Sequence, residues 1–560
     1  MVERLLNVFH REWSGLHEAA FLLAGCAVLS QALGLFRDRM LAHQFGAGTT
    51  LDIYYAAFRI PDFLYASIAS FVAVTVLIPF LLDRLTKDES GDLARRFINS
   101  VFTVFAFGMT FICLVVGIFT PFMAHFVVPG FTPSMQDEFI LLTRILLFSP
   151  LLLGISNLFG TVTQSYRRFF VFALAPVLYN IGIIFGIVFL LPIFGIRVVV
   201  IGVIIGAALH MFIQIPVILR ANLLPRFTLA VHWGDIKKVI FLSVPRTLAL
   251  SSSMFATIIL VGLASQMDRG SIAVFTFAMN LQNIPLTIVG MSYSVAAFPT
   301  LAKLWTGGAK DEFLGQIITA TRHILFWSFP AIVFLIVLRA QIVRTILGSG
   351  LFDWTATRLT AAALALFALS VVAQSLVLLF TRAYYAMGKT REPLFMNMIG
   401  ASTVVVSSFL LLYLFHASAT MRFFFETILR VSDTPGTSVL MLCLGYSIGM
   451  LLNVYLLLRL LRRTFGEFYN EVRQTLLHSF TVSIIMGFVA YHVLQVLGTT
   501  LDLNTFFGIF FQGLISGIVG ILVGVFLLRL MDNRELEEIW KSLHHKFWKV
   551  RPIATEQESI

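Results

Sequence analysis

Leu41–Phe58, LAHQFGAGTTLDIYYAAF, reads against Leu263–Asn280, LASQMDRGSIAVFTFAMN, at an offset of 222 residues. Two further blocks keep nearly the same offset. VTVLIPFLLDRL from Val74 lies over SVAAFPTLAKLW from Ser294 at 220, and Pro176 and Asn180 lie over Pro393 and Asn397 at 217. Self-similarity at a fixed period marks a repeated structural unit, here about 220 residues long. Around these blocks the chain is apolar. Hydrophobic residues make up 58% of the 560, charged residues 12%, and mean hydropathy is +0.90. A soluble chain is about a quarter charged, so a soluble enzyme is excluded and the surplus apolar surface faces lipid.

At roughly 20 residues per spanning helix, apolar windows fall near 18–44, 52–83, 97–119, 137–165, 170–192, 198–219, 242–266, 271–301, 315–338, 357–382, 393–415, 437–458, 475–498 and 505–528. The expected fold is an all-α polytopic membrane protein of about 14 transmembrane helices. Two six-helix parallel repeats form two lobes, and two extra helices follow. An even number of spans per repeat keeps both copies in one orientation, a design of alternating-access transporters. The expected organisation is a cytoplasmic surface helix at 1–17, an N-terminal six-helix lobe at 18–220 and a cytoplasmic linker at 221–241. A C-terminal six-helix lobe at 242–460, two extra spans at 461–530 and a cytoplasmic amphipathic tail at 531–560 complete it.

Charge alternates between connections. Arg84, Lys87, Arg95 and Arg96, then Arg167 and Arg168, then Arg220, Arg226, Lys237 and Lys238 occupy one set, which continues through Arg382, Lys389, Arg391 and Arg459 to the basic tail. Residues 45–51 and 120–136 carry neither Lys nor Arg. Basic loops stay cytoplasmic, so both termini are expected in the cytoplasm. The net charge of +11 reads as these loops and anionic lipid, with no nucleic-acid partner. No removable signal peptide is read at the N-terminus. Cys26, Cys113 and Cys443 fall in apolar stretches and predict no disulfide framework. The Gly388-Lys389-Thr390 run lacks the upstream glycine of a phosphate loop, since position 383 is Ala. His544-His545 lacks further ligands at metal spacing, so no metal and no cofactor is expected. No nucleophile–base constellation is visible, and the chain is read as a transporter without a catalytic site.

Charges within spans are costly and normally face a cavity or a partner. The candidates are Arg37 and Asp38 in the first span, and Asp52 and Arg59 in the second, with Asn280 and Gln282 at the equivalent place in the second repeat. Pro61 and Pro285 are candidate helix breaks or hinges. Two readings stay open for the charges: they line a central cavity, or Arg37 or Arg39 pairs with Asp38 or Asp52 to lock helices together. The amides likewise either line the cavity or bond a neighbouring helix. With few deep carboxylates, membrane potential acting on the arginines is the expected drive.

LSQALGLFRDRMLAHQFGAGTTLDIYYAAFRIPDFL, residues 29–64, resembles the MurJ/MviN lipid II flippase family of the multidrug/oligosaccharidyl-lipid/polysaccharide exporter fold. The carrying elements are LS-x-x-LG-x-x-RD, A-x-x-FGAG-x-x-x-D and AF-[RK]-x-P. SYRRFFVFALAPVLYNI at 165–181 is similar too. Arg37, Asp38 and Asp52 match family cavity positions. Gln31, Tyr65, Ala66, Ser70, Phe71 and Asn280 stand where the family carries charged or glycine residues. The resemblance implies a flippase moving an undecaprenyl-diphosphate-linked glycopeptide, lipid II, from the inner to the outer leaflet of the bacterial inner membrane. Its implied partners are that substrate, membrane lipids and cell-wall synthesis proteins. Other readings are export of another lipid-linked glycan, or a non-transporting homologue scaffolding cell-wall synthesis. Gly513, Gly517, Gly520 and Gly524 make a smooth face on the last span. It either packs on the thirteenth span or walls a groove for a polyprenyl tail, the latter implied by the resemblance. Leu536, Ile539, Trp540, Leu543 and Phe547 fall near one face of the tail, as in an interfacial helix.

Overall fold

The computed structural model describes residues 16–68, 74–88, 90–166, 168–191, 195–466 and 469–547. Among these, the regular secondary structure is helical throughout. Ten helices are long and apolar enough to cross a membrane, and an eleventh forms if Trp354–Ala368 and Val371–Ala386, bent by 43°, count as one span. The other expected spans fall on Leu16–Phe45, on the succession Thr49–Ala57, Arg59–Ser67 and Val74–Lys87, and on Trp233–Ser265. The expected surface helix at 1–17 lies outside the described residues except for its last two positions, and so does the tail beyond 547.

The chain forms two compact units. One comprises Met1–Ile284, Val343–Ser370 and Gly388–Leu456. Within it, Phe169–Phe185 with its π-helical continuation Gly186–Leu190 crosses Ile196–Phe212 at two glycine pairs, Gly182/Gly186 and Gly202/Gly206. A Cβ on Gly182 would stand 2.3 Å from Gly206 Cα, and one on Gly206 would stand 2.4 Å from the Tyr179 carbonyl oxygen. Glycines four apart let backbones approach where lipid supplies no hydrophobic drive. Gly400, Gly445 and Gly449 do the same for Arg391–Ala417 against Val439–Phe465, where the nearest atoms belong to the side chains of Asn453, Ser408 and Val404.

The other unit comprises Pro285–Ile342, Val371–Met387 and Leu457–Ile560. Here the glycine face of Phe506–Leu530 is filled by protein. A Cβ on Gly513 would meet Gln341 at 3.0 Å, on Gly520 Phe334 at 3.0 Å, and on Gly524 the Met486 sulfur at 2.3 Å. Packing on Tyr469–Gly498, Lys310–Val337 and Arg339–Ile346 therefore accounts for these glycines. Arg534–Phe547 follows. Glu535, 2% exposed, accepts from Arg322 Nε at 2.7 Å and from Thr475 Oγ1 at 2.7 Å. Burial alone would raise that carboxyl, but these two hydrogen bonds and the guanidinium hold it below the usual glutamate range. Leu536 and Ile539 pack on Phe326, Val482, Met486 and Leu528, whereas Trp540 stays exposed.

Candidate substrate site

The helix Leu16–Phe45 carries Arg37, Asp38 and Arg39 toward its C-terminal end. Arg37 donates from Nε and Nη2 to Asp38 Oδ1 at 3.0 and 2.8 Å, and from Nη1 to Asn180 Oδ1 at 3.3 Å. Asn180 is fixed in turn, since its amide donates to Ser30 and to the Pro176 carbonyl. The other Asp38 oxygen accepts from Asn280 Nδ2 at 3.0 Å. Arg37, Asp38 and Asn280 thus form one bonded chain across two repeats, with Asp38 only 3% exposed. Gln282 is fully buried on the same helix as Asn280.

Arg59 is half-buried and donates from Nη2 to the Thr276 hydroxyl at 3.0 Å, while its Nε is buried without a hydrogen-bond acceptor. The Tyr55 hydroxyl is in the same position, its ring set edge-on to Phe277 at 5.5 Å. Unsatisfied buried donors are rare in native folds and call for an explanation. Asp62 lies near Arg59 and is exposed, and Tyr54, Tyr65 and Tyr179 stand within its electrostatic reach. Tyr65 accepts from Asn157 at 3.2 Å. The site therefore holds two guanidiniums, two carboxylates and a ring of tyrosines. These side chains join an apolar ring to a polar tip; the sequence reading named Tyr65 only as a departure from the family and passed over Tyr54, Tyr55 and Tyr179. Their signal was present in the run DIYYAAF and the spacing to Tyr65, but aromatic residues in an apolar helix read as core.

Asp52 has different partners. Its oxygens accept from Gly270 N at 2.6 Å and Ala273 N at 2.9 Å, so it caps the start of the helix Ser271–Pro285. It is 4% exposed. Around it the sparsely basic connections close on one another. Leu351 N donates to His43 O at 3.0 Å, Gly130 N donates to Ser265 Oγ at 3.1 Å, and Arg39 caps the Thr345 and Ile346 carbonyls. Gly270 has φ +89°, and a Cβ there would fall 2.2 Å from the Ala47 carbonyl oxygen. Only glycine allows that approach.

Both proline positions coincide with broken helices. Pro61 has no N–H to offer the Ala57 carbonyl, and the helix breaks at Phe58 between Thr49–Ala57 and Arg59–Ser67. The Thr143 hydroxyl lies 3.5 Å from that carbonyl, the side-chain rescue that an apolar surrounding demands. Pro285 ends Ser271–Pro285, where the chain widens into the π-helix Leu286–Met291 before Ser292–Thr306. π-Bulges are a recognised cause of kinks.

An all-helical multi-pass chain with paired charges and broken helices at membrane depth is the build of a membrane transporter. The solved structures it resembles agree in fold. One titled "Lipid II flippase MurJ, inward closed conformation" superposes with TM-score 0.72 at 22% identity, covering 92% of this chain and all of that one. An inward-facing multidrug resistance MATE family transporter of the MOP superfamily gives 0.62 at 14% identity, covering 78% of this chain and 94% of its own. In sequence, the "Probable lipid II flippase MurJ" of Buchnera aphidicola is 26% identical over 525 residues, 92% of this chain and 97% of that protein. The family described as "Lipid II flippase MurJ" matches residues 41–512. This chain belongs to that family.

Proposed function

We propose that this protein carries lipid II, an undecaprenyl-diphosphate-linked glycopeptide, from the inner to the outer leaflet by alternating access. The observation that carries the reading is the pairing of Arg37 with Asp38 and Asn280 beside an Arg59 whose Nε lacks an acceptor. A guanidinium fork matches diphosphate oxygens, and a diphosphate cannot cross hydrocarbon without such a path. The Asp38 carboxylate holds Arg37 in place until an anion competes for it. Pro61 and Pro285 supply the bends, and Asn280 and Gln282 complete the cavity from the second repeat. Asp52 acts as the latch of the outer side.

Charge supports the sidedness of this reading: connections that close around Asp52 are those poor in Lys and Arg, as expected of the outer side of a bacterial inner membrane with both termini in the cytoplasm. The 18–220 and 242–460 lobes rock about this centre, with 221–241 as linker and 461–530 as accessory spans. Membrane potential acting on the arginines biases the cycle, at about 2.3 kcal/mol per charge per 100 mV. Replacing the native flippase in a depleted strain tests the activity. Rescue that is lost with Arg37→Ala supports flipping. Rescue that survives Arg37→Ala favours a scaffold for cell-wall synthesis proteins, and no rescue at full expression points to another lipid-linked glycan.

A further inference from the structure

The connection between Arg391–Ala417 and Val439–Phe465 has no counterpart in the first repeat, where only 191–195 joins the equivalent helices. It contains an eleven-residue helix, Ala419–Leu429, capped by Ser418, whose hydroxyl accepts from Met421 N at 3.3 Å. The helix is turned against the usual rule. Its buried edge is polar: Glu426, 8% exposed, accepts from Arg422 Nε at 3.0 Å and from Thr437 Oγ1 at 2.6 Å. Its outward face carries Phe423, Phe424 and Ile428, which are 68%, 57% and 61% exposed, with Thr420 and Thr427 between them.

The segment is held firmly. Arg358 forks onto Asp433 at 2.8 and 2.6 Å and also donates to the Arg430 carbonyl. Gly436, at φ +80°, brings the backbone so close to Asp268 that a Cβ would sit 3.3 Å from the Asp268 Cβ. The insert therefore abuts the connection whose Gly270 is bonded by Asp52. Two neighbours fix its level in the membrane. The preceding helix exposes Phe409, Leu410 and Tyr413 toward its end, and Trp354, 54% exposed, opens the helix that carries Arg358. Tyr and Trp concentrate at the membrane–water boundary, and an apolar face above a polar one suits a helix lying in that plane.

We propose that Ala419–Leu429 lies in the membrane–water interface on the Asp52 side, with Phe423, Phe424 and Ile428 in lipid, and so moors the outer closure to the leaflet. The occupant of this face is lipid because Phe423, Phe424 and Ile428 follow the exposed apolar residues Phe409, Leu410, Tyr413 and Leu414 at the end of Arg391–Ala417. The claim is independent of which substrate is carried.

Nitroxide labels at Phe424→Cys, Ile428→Cys and, for comparison, the exposed Ser432→Cys test it in the full chain. Cys26 and Cys113 are replaced by Ala, Cys443 stays because it is fully buried, and the protein is reconstituted in phosphatidylethanolamine–phosphatidylglycerol vesicles. At 424 and 428, collisions with oxygen should exceed those with a water-soluble nickel chelate, and the ratio should invert at 432. Nickel collisions prevailing at 424 and 428 would overturn the proposal and leave the face as a water-exposed surface for a protein.

Discussion

In the second span of the first repeat, Arg59 and Asp62 follow a helix break at Phe58; in the corresponding span of the second, Asn280, Gln282 and Asn283 precede a break at Pro285. Both copies keep the interrupted backbone, and only one keeps the charge. In the proposed cycle the interruption serves motion or cavity lining, which both copies share. In that proposal the charge serves the cargo and stands in one copy, opposite a neutral amide and a hydroxyl. Two of the side-chain bonds that join the copies reflect this division: Asn280 supplies an amide to Asp38, and Thr276 a hydroxyl to Arg59.

The glycine crossings sharpen the comparison and give the largest expected effect. In the first repeat, Gly182 and Gly206 press on backbone, which cannot yield; on the last span, the atoms nearest Gly524 all belong to the flexible Met486 side chain. Gly206→Ala should cost about 1–3 kcal/mol, the usual penalty of overpacking, and Gly524→Ala less. Thermal unfolding of the two purified variants decides it, and an equal loss would remove the distinction.

Asp52→Asn comes next. The substitution keeps the shape but turns one of the two accepting oxygens into an NH2 that faces a backbone N–H, and removes the charge from the bond that remains; bonds to charged groups are worth about 1.5–3 kcal/mol. The outer closure should open more often, seen as faster labelling of Ser265→Cys by an impermeant maleimide. Unchanged labelling would take Asp52 out of the latch. Asn280→Ala should slow transport by roughly ten- to a hundredfold, because its bond to the Asp38 carboxylate is one to a charged group, worth about 1.5–3 kcal/mol. A loss as deep as that of Arg37→Ala would make the two repeats equal partners.

The smallest effect is in the unit holding the tail helix. The Glu535 carboxyl is held below its ordinary value of 4.5 by Thr475 and Arg322 against the cost of burial. Because the value is lowered in the fold, its contribution is complete above the unfolded value and is lost as pH falls through the folded one. Protection against hydrogen exchange in Arg534–Phe547, relative to the unstructured chain at the same pH, should therefore be flat from neutrality to about pH 5 and fall only in stronger acid. Protection already falling between pH 7 and 6 would contradict the pairing with Arg322.

Much of this was legible in the sequence. The helical segments follow from hydropathy alone, since apolar runs of about 20 residues have one solution in lipid, and Pro61 and Pro285 announced the breaks. Arg37, Asp38 and Asn280 were visible because charge and amide are rare at depth. What stayed hidden depends on three-dimensional contact. Asp52 looked like a cavity acid, yet its partners are backbone amides, which no side-chain pattern encodes. Tyr54, Tyr55 and Tyr179 read as core until their neighbours were placed. The GIIFG and GVIIG runs at 182–186 and 202–206 were in plain view, but only their crossing gives them meaning.

The central claim is that the cations of the first repeat carry the anionic headgroup. Its most direct test is translocation of lipid II in vesicles containing the purified protein, read as the fraction reached by an outside reagent, for the wild type and for Arg37→Ala, Arg59→Ala and Asn280→Ala. The account predicts transport by the wild type, its loss in both arginine variants, and a partial loss with Asn280→Ala. Transport by Arg37→Ala and Arg59→Ala at the wild-type rate would contradict it.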